Sequence, residues 1–92
     1  MALRFEWDGA KARSNWEKHG VSFEEAATIF GDPLSLTVSD PDHSETEERY
    51  ISMGASAASR VLVVSHTDRA DVIRLISARP ATPRERRTYE EG

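Results

Sequence analysis

Apolar and polar residues alternate strictly at the start of the chain. Leu3, Phe5 and Trp7 are separated by Arg4 and Glu6, which is the period-2 pattern of a short strand with one buried face. The pattern predicts a first strand here. It also places the Trp7 ring in the core, because that side chain falls on the apolar face.

Helical spacing replaces this alternation in the next segment. Asp8 fits a helix N-cap, and the helix should run to about Lys18. Ala12 and Trp16 lie one turn apart on its predicted inner side, so we expect Trp16 to anchor the core. Gly20 can end the helix because glycine adopts the left-handed conformation without steric cost.

A second helix is predicted to begin at Phe23. Ser22 and Glu25 form a capping-box pair, in which each side chain can satisfy a backbone N–H of the other residue. Gly31-Asp32-Pro33 ends the helix because proline cannot continue the hydrogen-bond ladder. The predicted inner face comprises Phe23, Ala26, Ala27 and Phe30.

Period-2 alternation returns after Pro33. Leu34, Leu36 and Val38 alternate with serine and threonine, which predicts an edge strand with one polar face. Three further strands are predicted over residues 49–53, 60–66 and 71–79. Their connections are too short for the crossovers of parallel pairing, so we expect the four strands to form an antiparallel meander.

A third helix completes the predicted order of elements. Thr82 and Glu85 repeat the capping box and Pro83 occupies the first helical position, so this helix should run to about Glu91. The predicted fold is therefore α+β, in the order β-α-α-β-β-β-β-α, with helices packed on a largely antiparallel sheet. We expect one domain over residues 1–92, because this length supports a single small core.

Composition narrows the cellular setting. The chain has 38% hydrophobic and 30% charged residues, no cysteine and a formal net charge of −4. Without cysteine there are no disulfides and no cysteine metal sites. The longest apolar run, Val61 to Val64, is far too short to cross a bilayer, and the N-terminus lacks the apolar segment of a signal peptide. We expect a cytoplasmic protein that does not enter the membrane.

Arginine is concentrated near the C-terminus. Residues 74–87 carry five arginines and one glutamate, a charge of +4 in a chain whose net charge is −4. The guanidinium group stays charged at any relevant pH, and its planar fork matches two phosphate oxygens. This asymmetry predicts binding to a polyanion, with RNA as the leading candidate.

Several short motifs, in a fixed order, cover nearly the whole chain. They are Phe5-Glu6-Trp7-Asp8 with Lys11, Asn15 through Lys18-His19-Gly20-Val21-Ser22-Phe23-Glu24-Glu25-Ala26, Asp32-Pro33, Glu48-Arg49, and Ile76-Ser77-Ala78-Arg79 with Glu85-Arg86 and Tyr89. Together they resemble the BrnT family of bacterial toxins. The resemblance implies a RelE-like fold and a ribonuclease activity that blocks translation. It also implies a BrnA-like antitoxin that binds the toxin as a heterotetramer and itself makes the operator-DNA contacts.

RNA can be cleaved without a metal when the neighbouring 2′-hydroxyl is the nucleophile. Such a site needs a base for that hydroxyl, a cation for the charge that builds on the phosphate, and an acid for the leaving oxygen. The chain has no dense cluster of carboxylates and histidines, so we expect a metal-independent reaction with no cofactor. His43 lies in an acidic loop that can be drawn as a metal site, but loops of this composition are usually only solvated.

The candidate phosphate-binding residues are Arg79 and Arg86. Arg79 leaves the last strand and Arg86 lies one turn into the final helix, so the corner between them can bring both to one phosphate. Arg74 projects from the same strand, on the predicted face of Val72, Ile76 and Ala78. It either contacts RNA or forms an ion pair at the rim of the site.

The candidate acid-base groups are Lys18, His19, Glu48 and Arg49. The histidine can act as base or acid near neutral pH, and the neighbouring lysine can stabilise the transition state. At the end of a helix, however, the helix dipole alone favours both cations. Glu48 and Arg49 open a strand, where they form either a base held by a cation or only an exposed ion pair.

The remaining candidates each have a structural alternative. His66 ends a predicted strand and either contacts substrate or is half-buried with one hydrogen bond. Tyr89, one turn beyond Arg86, either stacks on a base or caps the core. Arg84 and Arg87 are expected only to solvate the helix face and to pair with the glutamates that follow them.

Two functions from different classes remain open. The protein is either an endoribonuclease or a noncatalytic module that binds RNA, DNA or a partner through the same arginines. The enzyme requires one residue of each predicted pair to line a common cleft, whereas a binding module tolerates a dispersed stripe. The pairs are Lys18 and His19, Glu48 and Arg49, and Arg79 and Arg86.

Overall fold

The computed structural model describes residues 3–40 and 48–92, and its elements follow the predicted order. The strands are β1 (Arg4–Glu6), β2 (Leu36–Ser39), β3 (Arg49–Ala55), β4 (Val61–Arg69) and β5 (Val72–Pro80). The helices are α1 (Gly9–His19), α2 (Phe23–Ala27), which continues as a 3-10 turn (Thr28–Gly31), and α3 (Pro83–Glu91). The predicted α+β class is confirmed. Within the described residues, no helix combines the length and the apolar composition of a membrane span.

The five strands form one sheet in the order β1-β5-β4-β3-β2. Strands β2 to β5 form the predicted antiparallel meander. Strand β1 adds to the far edge, where it pairs parallel to β5 from Arg4 opposite Val72 to Glu6 opposite Arg74. Periodicity did not reveal this pairing, because an alternating strand has the same pattern whichever neighbour it joins.

A bulge in β5 changes which side chains share a face. Ser65 lies opposite Ser77 and His66 lies opposite Leu75, so Ile76 is an extra residue on β5. Both Leu75 and Ala78 therefore reach the core, although they are three residues apart. The prediction that Arg74 shares a face with Ala78 is wrong for the same reason.

The two faces of the sheet have different roles. Helices α1 and α2 cover one face, and the buried cluster between them and the sheet comprises Val21, Phe23, Ala26, Ile29, Leu62, Val64, Ile73, Leu75 and Ala78. We call the other face the open face. Residues that are directly opposite in register share a face, so Glu6, Arg74, Thr67 and Arg49 all lie on the open face.

The two tryptophans have different environments. Trp7 packs against the core with its ring edge-on to Phe23, at 5.9 Å between centroids, as predicted. Trp16 is 58% exposed, so the prediction that it anchors the core is wrong. Helix α1 instead turns Asn15 inward. Because neighbouring residues on a helix point about 100° apart, the next side chain, that of Trp16, points away from the core.

The caps of the first two helices agree only partly with the prediction. Gly20 ends α1 with a φ of 64°, as expected, but the Asp8 side chain makes no capping bond. The Ser22 hydroxyl accepts from the Glu25 backbone N–H at 3.0 Å, whereas the Glu25 carboxylate binds Arg60 instead of returning to Ser22. Only half of this capping box forms, because the carboxylate has a charged partner in the neighbouring loop.

The Asn15 side chain completes the edge of β5. Its Oδ1 accepts from the Ala78 N–H at 2.9 Å, and its Nδ2 donates to the Ala78 carbonyl at 2.8 Å and to the Val21 carbonyl at 3.0 Å. Strand β1 pairs only with Val72 to Arg74, so the edge of β5 near Ala78 has no strand beside it. The amide therefore takes the place of a neighbouring strand and holds α1 against β5.

Replacing Asn15 by alanine should destabilise the protein by about 2–4 kcal/mol, because three hydrogen bonds are lost and the Ala78 backbone groups are left unpaired in a buried position. Chemical denaturation of Asn15→Ala measures the change. Ser14→Ala, on the adjacent and partly exposed position, should change the free energy of unfolding by less than about 0.5 kcal/mol. An equal effect of the two substitutions would contradict the assignment.

Candidate functional site

A cavity of about 460 Å³ opens on the open face where β1, β5 and β4 meet. We call it the arginine cavity; its lining residues are Glu6, Thr67, Arg69, Val72 and Arg74. The register explains the grouping, because Glu6 lies opposite Arg74 and Arg74 lies opposite Thr67. Arg74 Nη1 lies 3.4 Å from Glu6 Oε1, and both side chains are about half exposed.

Arg49 continues this row onto a fourth strand. It lies opposite Thr67 in β3, so it shares the open face with the arginine cavity. The Cα atoms of Arg49 and Arg74 are two strands apart, or about 10 Å. The sheet therefore brings together two of the predicted residues that are distant in the sequence.

Sequence reasoning missed three residues of the cavity. Glu6 was assigned only to a strand, and Thr67 and Arg69 fell in a predicted turn, whereas β4 continues through Arg69. The sequence signal that could have found Thr67 and Arg69 is the period-2 alternation of β4. If the predicted strand is extended to Arg69, both side chains fall on the same face of the sheet. The parallel pairing that brings Glu6 beside Arg74 had no signal in the sequence.

A second concavity, of about 240 Å³, lies between α1 and β5. We call it the α1 groove; its lining residues are Lys11, Ser14, Asn15, Lys18, His19, Ile76 and Ser77. The predicted residues Lys18 and His19 are exposed here, in the last turn of α1. The groove and the arginine cavity lie along the same strand. Arg74 and Ser77 lie opposite Thr67 and Ser65, which are two residues, or about 7 Å of strand, apart on β4.

Arg79 is used to attach α3 to the sheet. Its Nη1 and Nη2 donate to the two carboxylate oxygens of Glu85 at 2.7 and 2.9 Å. Glu85 also accepts from the Thr82 N–H at 2.9 Å, which completes the predicted capping box of α3. The Arg79 guanidinium and this backbone bond lower the pKa of Glu85 to about 2. The Glu85 carboxylate in turn raises the pKa of Arg79.

Arg79 and Arg86, the predicted phosphate-binding pair, have different surroundings. Arg79 is held by Glu85, and Arg86 is exposed on α3, with no hydrogen bond or ion pair from its guanidinium to any described residue. Successive helical residues point about 100° apart, so Glu85 and Arg86 face different directions. Arg84 and Arg87 are exposed as predicted, but within the described residues they form no ion pair with Glu90 or Glu91.

The Tyr89 hydroxyl donates to Asp32, which ties the end of α3 to the loop before β2. The Asp32 carboxylate also accepts from the Ala55 N–H at 2.9 Å and from the Leu34 N–H at 3.0 Å. These donors, Tyr89 first, lower the pKa of Asp32, and the bond to Asp32 raises the pKa of Tyr89. Of the two predicted roles of Tyr89, this geometry matches the structural one.

His66 is 1% exposed, on the face that the helices cover. Its Nδ1 lies 2.5 Å from Asp68 Oδ1 and its Nε2 lies 2.7 Å from Ser52 Oγ. The ring also packs edge-on against Phe30, at 5.0 Å between centroids. The His66 ring therefore links β4 to β3 and packs against the 3-10 turn, and of its two predicted roles this geometry matches the structural one.

Glu48 lies just before β3, and its Oε2 accepts from the Tyr50 hydroxyl at 2.7 Å. This bond to Glu48 is the main cause of the raised pKa of Tyr50. The possible metal site in the acidic loop would require His43, which lies outside the described residues. Across residues 3–40 and 48–92, no three His, Cys, Asp or Glu side chains are grouped in a way that could hold a metal.

Comparison with known proteins identifies a family and a fold. The family model described as "Ribonuclease toxin, BrnT, of type II toxin-antitoxin system" matches residues 7–85. The chain is also similar to the crystal structure of the Brucella abortus ribonuclease toxin BrnT, with a TM-score of 0.64 and 19% sequence identity over 88% of this chain and 99% of that chain. At this identity the likeness shows the fold alone. No curated protein matches the chain.

The Arg79–Glu85 pair makes stability depend on pH at the acid end. Because the pKa of Glu85 is lowered from 4.5 to about 2, the pair stabilises the fold above about pH 4.5 and the contribution is lost as the pH falls towards about 2. Both side chains are partly exposed, so we expect Glu85→Gln to cost only about 1 kcal/mol at pH 7. The difference from wild type should disappear near pH 2.

Urea denaturation of both proteins between pH 2 and pH 7 measures this dependence. Glu91→Gln, at the exposed end of α3, is the matched control and should follow the wild type at every pH. A difference between Glu85→Gln and wild type that stays constant over the whole range would contradict the assignment to an ionised Glu85.

Proposed function

The chain belongs to the BrnT family of ribonuclease toxins of type II toxin-antitoxin systems, and from this premise we propose that it is a metal-independent endoribonuclease that cleaves RNA and inhibits translation. The observation that carries the proposal is that the arginine cavity and the α1 groove open along one strand, β5. One concavity supplies guanidinium groups, and the other supplies an imidazole and two ammonium groups. Phosphate binding and proton transfer thus have neighbouring sites.

The reaction requires one proton to leave and one to arrive. The 2′-oxygen attacks the adjacent phosphorus while a base removes its proton, and the bond from phosphorus to the 5′-oxygen breaks as an acid protonates that oxygen. His19 lines the α1 groove, and its imidazole is the group there that can serve as the base or the acid. Lys18 and Lys11 line the same groove, where their ammonium groups stabilise the negative charge that builds on the phosphate oxygens.

The predicted arginines divide between binding and support. Arg74 and Arg49 lie on the open face, where they hold phosphates of the bound strand. Arg79 supports the site indirectly, because its bond to Glu85 fixes α3 beside the sheet. Arg86 is an exposed contact to more distant phosphates.

Glu48 is retained as a second candidate base. It lies at the start of β3, immediately before Arg49, and the Tyr50 hydroxyl donates to it and limits its rotation. The Tyr50 ring stacks on His66, so the Glu48 carboxylate lies towards the face that the helices cover and could meet a bound strand only at the end of the sheet. His19 is preferred because it already lies in a groove with two lysines.

A noncatalytic binding module is the second candidate function. The observation that favours it is that neither concavity described above is lined by members of all three predicted pairs: Lys18 and His19 lie in the α1 groove, whereas Arg79 is bound to Glu85. A row of cations across a sheet can hold a polyanion without cleaving it. RNA cleavage by the purified protein distinguishes the two functions.

The proposed partner is a BrnA-like antitoxin. In this proposal two toxin and two antitoxin chains form a heterotetramer in the cytoplasm, and operator DNA is contacted only through the antitoxin. Residues 1–92 act as one toxin domain without a cofactor. Covering the open face would block the RNA site directly, since the exposed Arg74 lies there.

Replacing His19 by glutamine should lower the rate of RNA cleavage by at least about 100-fold, since proton transfer by a positioned side chain contributes about that factor. Cleavage of single-stranded RNA, with and without ribosomes, measures the effect, and RNA affinity should change by less than about threefold. Arg87→Ala removes a cation from an exposed helix face and should cleave like the wild type. Wild-type protein that leaves RNA intact under both conditions would defeat the nuclease proposal, and unchanged cleavage by His19→Gln would exclude only His19.

Expression of the toxin alone should arrest growth, and coexpression of the cognate antitoxin should restore it because the RNA site is covered. Growth curves and the mass of the purified complex test both parts, with a 2:2 complex expected. Growth arrest that persists although a stable complex is isolated would count against occlusion of the open face. A 1:1 complex would contradict the heterotetramer alone.

A further inference from the structure

Strand β2 is an edge of the sheet without the usual protection against pairing with another chain. Its four residues, Leu36–Ser39, are all exposed and include no proline and no charged residue. Charged side chains and prolines are among the means by which proteins keep an edge strand from pairing with another chain. The opposite edge follows this rule, because two of the three residues of β1, Arg4 and Glu6, are charged.

The backbone of β2 offers hydrogen-bonding groups to a neighbour. The Asp40 N–H donates to the Arg49 carbonyl at 2.8 Å, so these two opposed residues form a hydrogen-bonded pair. Such pairs alternate along an antiparallel ladder, so Val38 also bonds to β3, whereas Thr37 and Ser39 direct their N–H and C=O groups away from it. Among the described residues, no backbone group bonds to these outward groups. Two donors and two acceptors therefore face outward along the edge.

An apolar cleft of about 190 Å³ lies beside this edge on the open face. We call it the edge cleft; its lining residues are Leu36, Val38, Ile51, Met53, Val63, Glu85 and Thr88. The apolar residues come from β2, β3 and β4, and the two polar ones come from α3, which forms one wall. Leu34, Leu36 and Val38 are 69%, 37% and 60% exposed. Contiguous apolar surface of this kind marks a site of interaction.

The chemistry of the edge matches a protein partner better than a nucleic acid. An extended peptide supplies the N–H and C=O groups that the edge of β2 lacks, and alternate side chains of the added strand point to the same face as Leu36 and Val38. Binding of RNA depends on cations. Neither β2 nor the described lining of the edge cleft contains lysine or arginine.

The charge beside the edge cleft distinguishes between two kinds of protein partner. Arg84 lies about 40° around α3 from Thr88, and its exposed guanidinium forms no hydrogen bond or ion pair with the described part of the chain. A second copy of the chain would bring its own β2, which has no acidic residue. A different chain, with an apolar strand and a carboxylate, complements both the edge and the arginine.

We propose that the edge of β2 and the edge cleft are the docking surface for the antitoxin, which adds an extended segment to the sheet, places an apolar side chain in the cleft and directs a carboxylate to Arg84. The proposal rests on the antitoxin partner of the proposed function and not on the cleavage mechanism. On β4, Val63 in the edge cleft and Thr67 in the arginine cavity lie four residues, or about 13 Å, apart on one face. An antitoxin docked here is beside the proposed RNA site.

The affinity for the cognate antitoxin tests both the apolar and the backbone contacts. Calorimetric titration compares wild type with Val38→Ser, Ser39→Pro and the control Leu3→Ser. Val38→Ser should weaken binding about tenfold, because an apolar contact is lost. Ser39→Pro removes one outward N–H and leaves the bonds to β3 intact, so it should weaken binding about five- to tenfold. Leu3→Ser, at an exposed apolar residue beside the opposite edge, should bind like the wild type.

Two further measurements separate the parts of the surface. The amide protons of Thr37 and Ser39 should exchange with solvent at least about tenfold more slowly in the complex than in the free toxin, because an added strand bonds to them. Arg84→Glu should weaken binding, and Arg84→Lys should retain most of the affinity because it keeps the charge. RNA cleavage by free Val38→Ser should equal that of the wild type, and thermal unfolding checks that each variant is folded.

Each of three results would overturn the proposal. Val38→Ser and Ser39→Pro could bind the antitoxin as tightly as wild type does, or the two amide protons could remain unprotected in the complex. A free toxin that is a dimer, and that Val38→Ser converts to a monomer without loss of antitoxin affinity, would assign the edge to a second copy. Wild-type toxin that binds no antitoxin would instead defeat the proposed partner, and this docking surface with it, while leaving the nuclease proposal intact.

Discussion

The edge of β5 is the constraint on which the site depends. Strand β1 pairs with only three residues of β5, and the Asn15 amide supplies hydrogen bonds to Ala78 further along that edge. This contact places α1 beside the strand, and it carries Lys18 and His19 to the groove along Ser77. A backbone requirement of the sheet, namely that buried N–H and C=O groups find partners, thus positions the proposed acid-base group.

The arginines divide according to the charge that lies beside them. Arg60 and Arg79 each form paired hydrogen bonds with a glutamate, Glu25 and Glu85, and hold helices or loops in place. Arg74 has a long contact with an exposed glutamate, Glu6, and lies with Arg69 at a cavity. The run of arginines near the C-terminus is therefore a cluster in sequence but not in space. On the open face, by contrast, the arginines Arg4, Arg49, Arg69 and Arg74 come from four different strands.

Much of the fold could be predicted because it depends on local patterns. The Thr82–Glu85 capping box, the Gly20 helix end and the alternation in β2 act over a few residues and needed no tertiary information. Predictions failed where a distant partner intervened. Arg60 took the carboxylate of the Ser22 capping box, and Ala78 turned Asn15 inward so that Trp16 became exposed. The bulge at Ile76 moved Ala78 to the opposite face from Arg74.

By itself the sequence determined the α+β class, the order of elements, the Gly20 helix end, the capping box of α3 and an arginine-rich chemistry suited to phosphate, because periodicity and residue type act locally. Its motifs also indicated the family. Only the tertiary structure decided which charges meet, since register and strand order set neighbours that lie far apart in the chain. It joined Glu6 to Arg74, put Arg69 at the same cavity and gave Arg79 to Glu85. Those pairings follow from the parallel β1 strand, the bulge in β5 and the turn between β5 and α3. None of these three features produces a periodic pattern in the sequence.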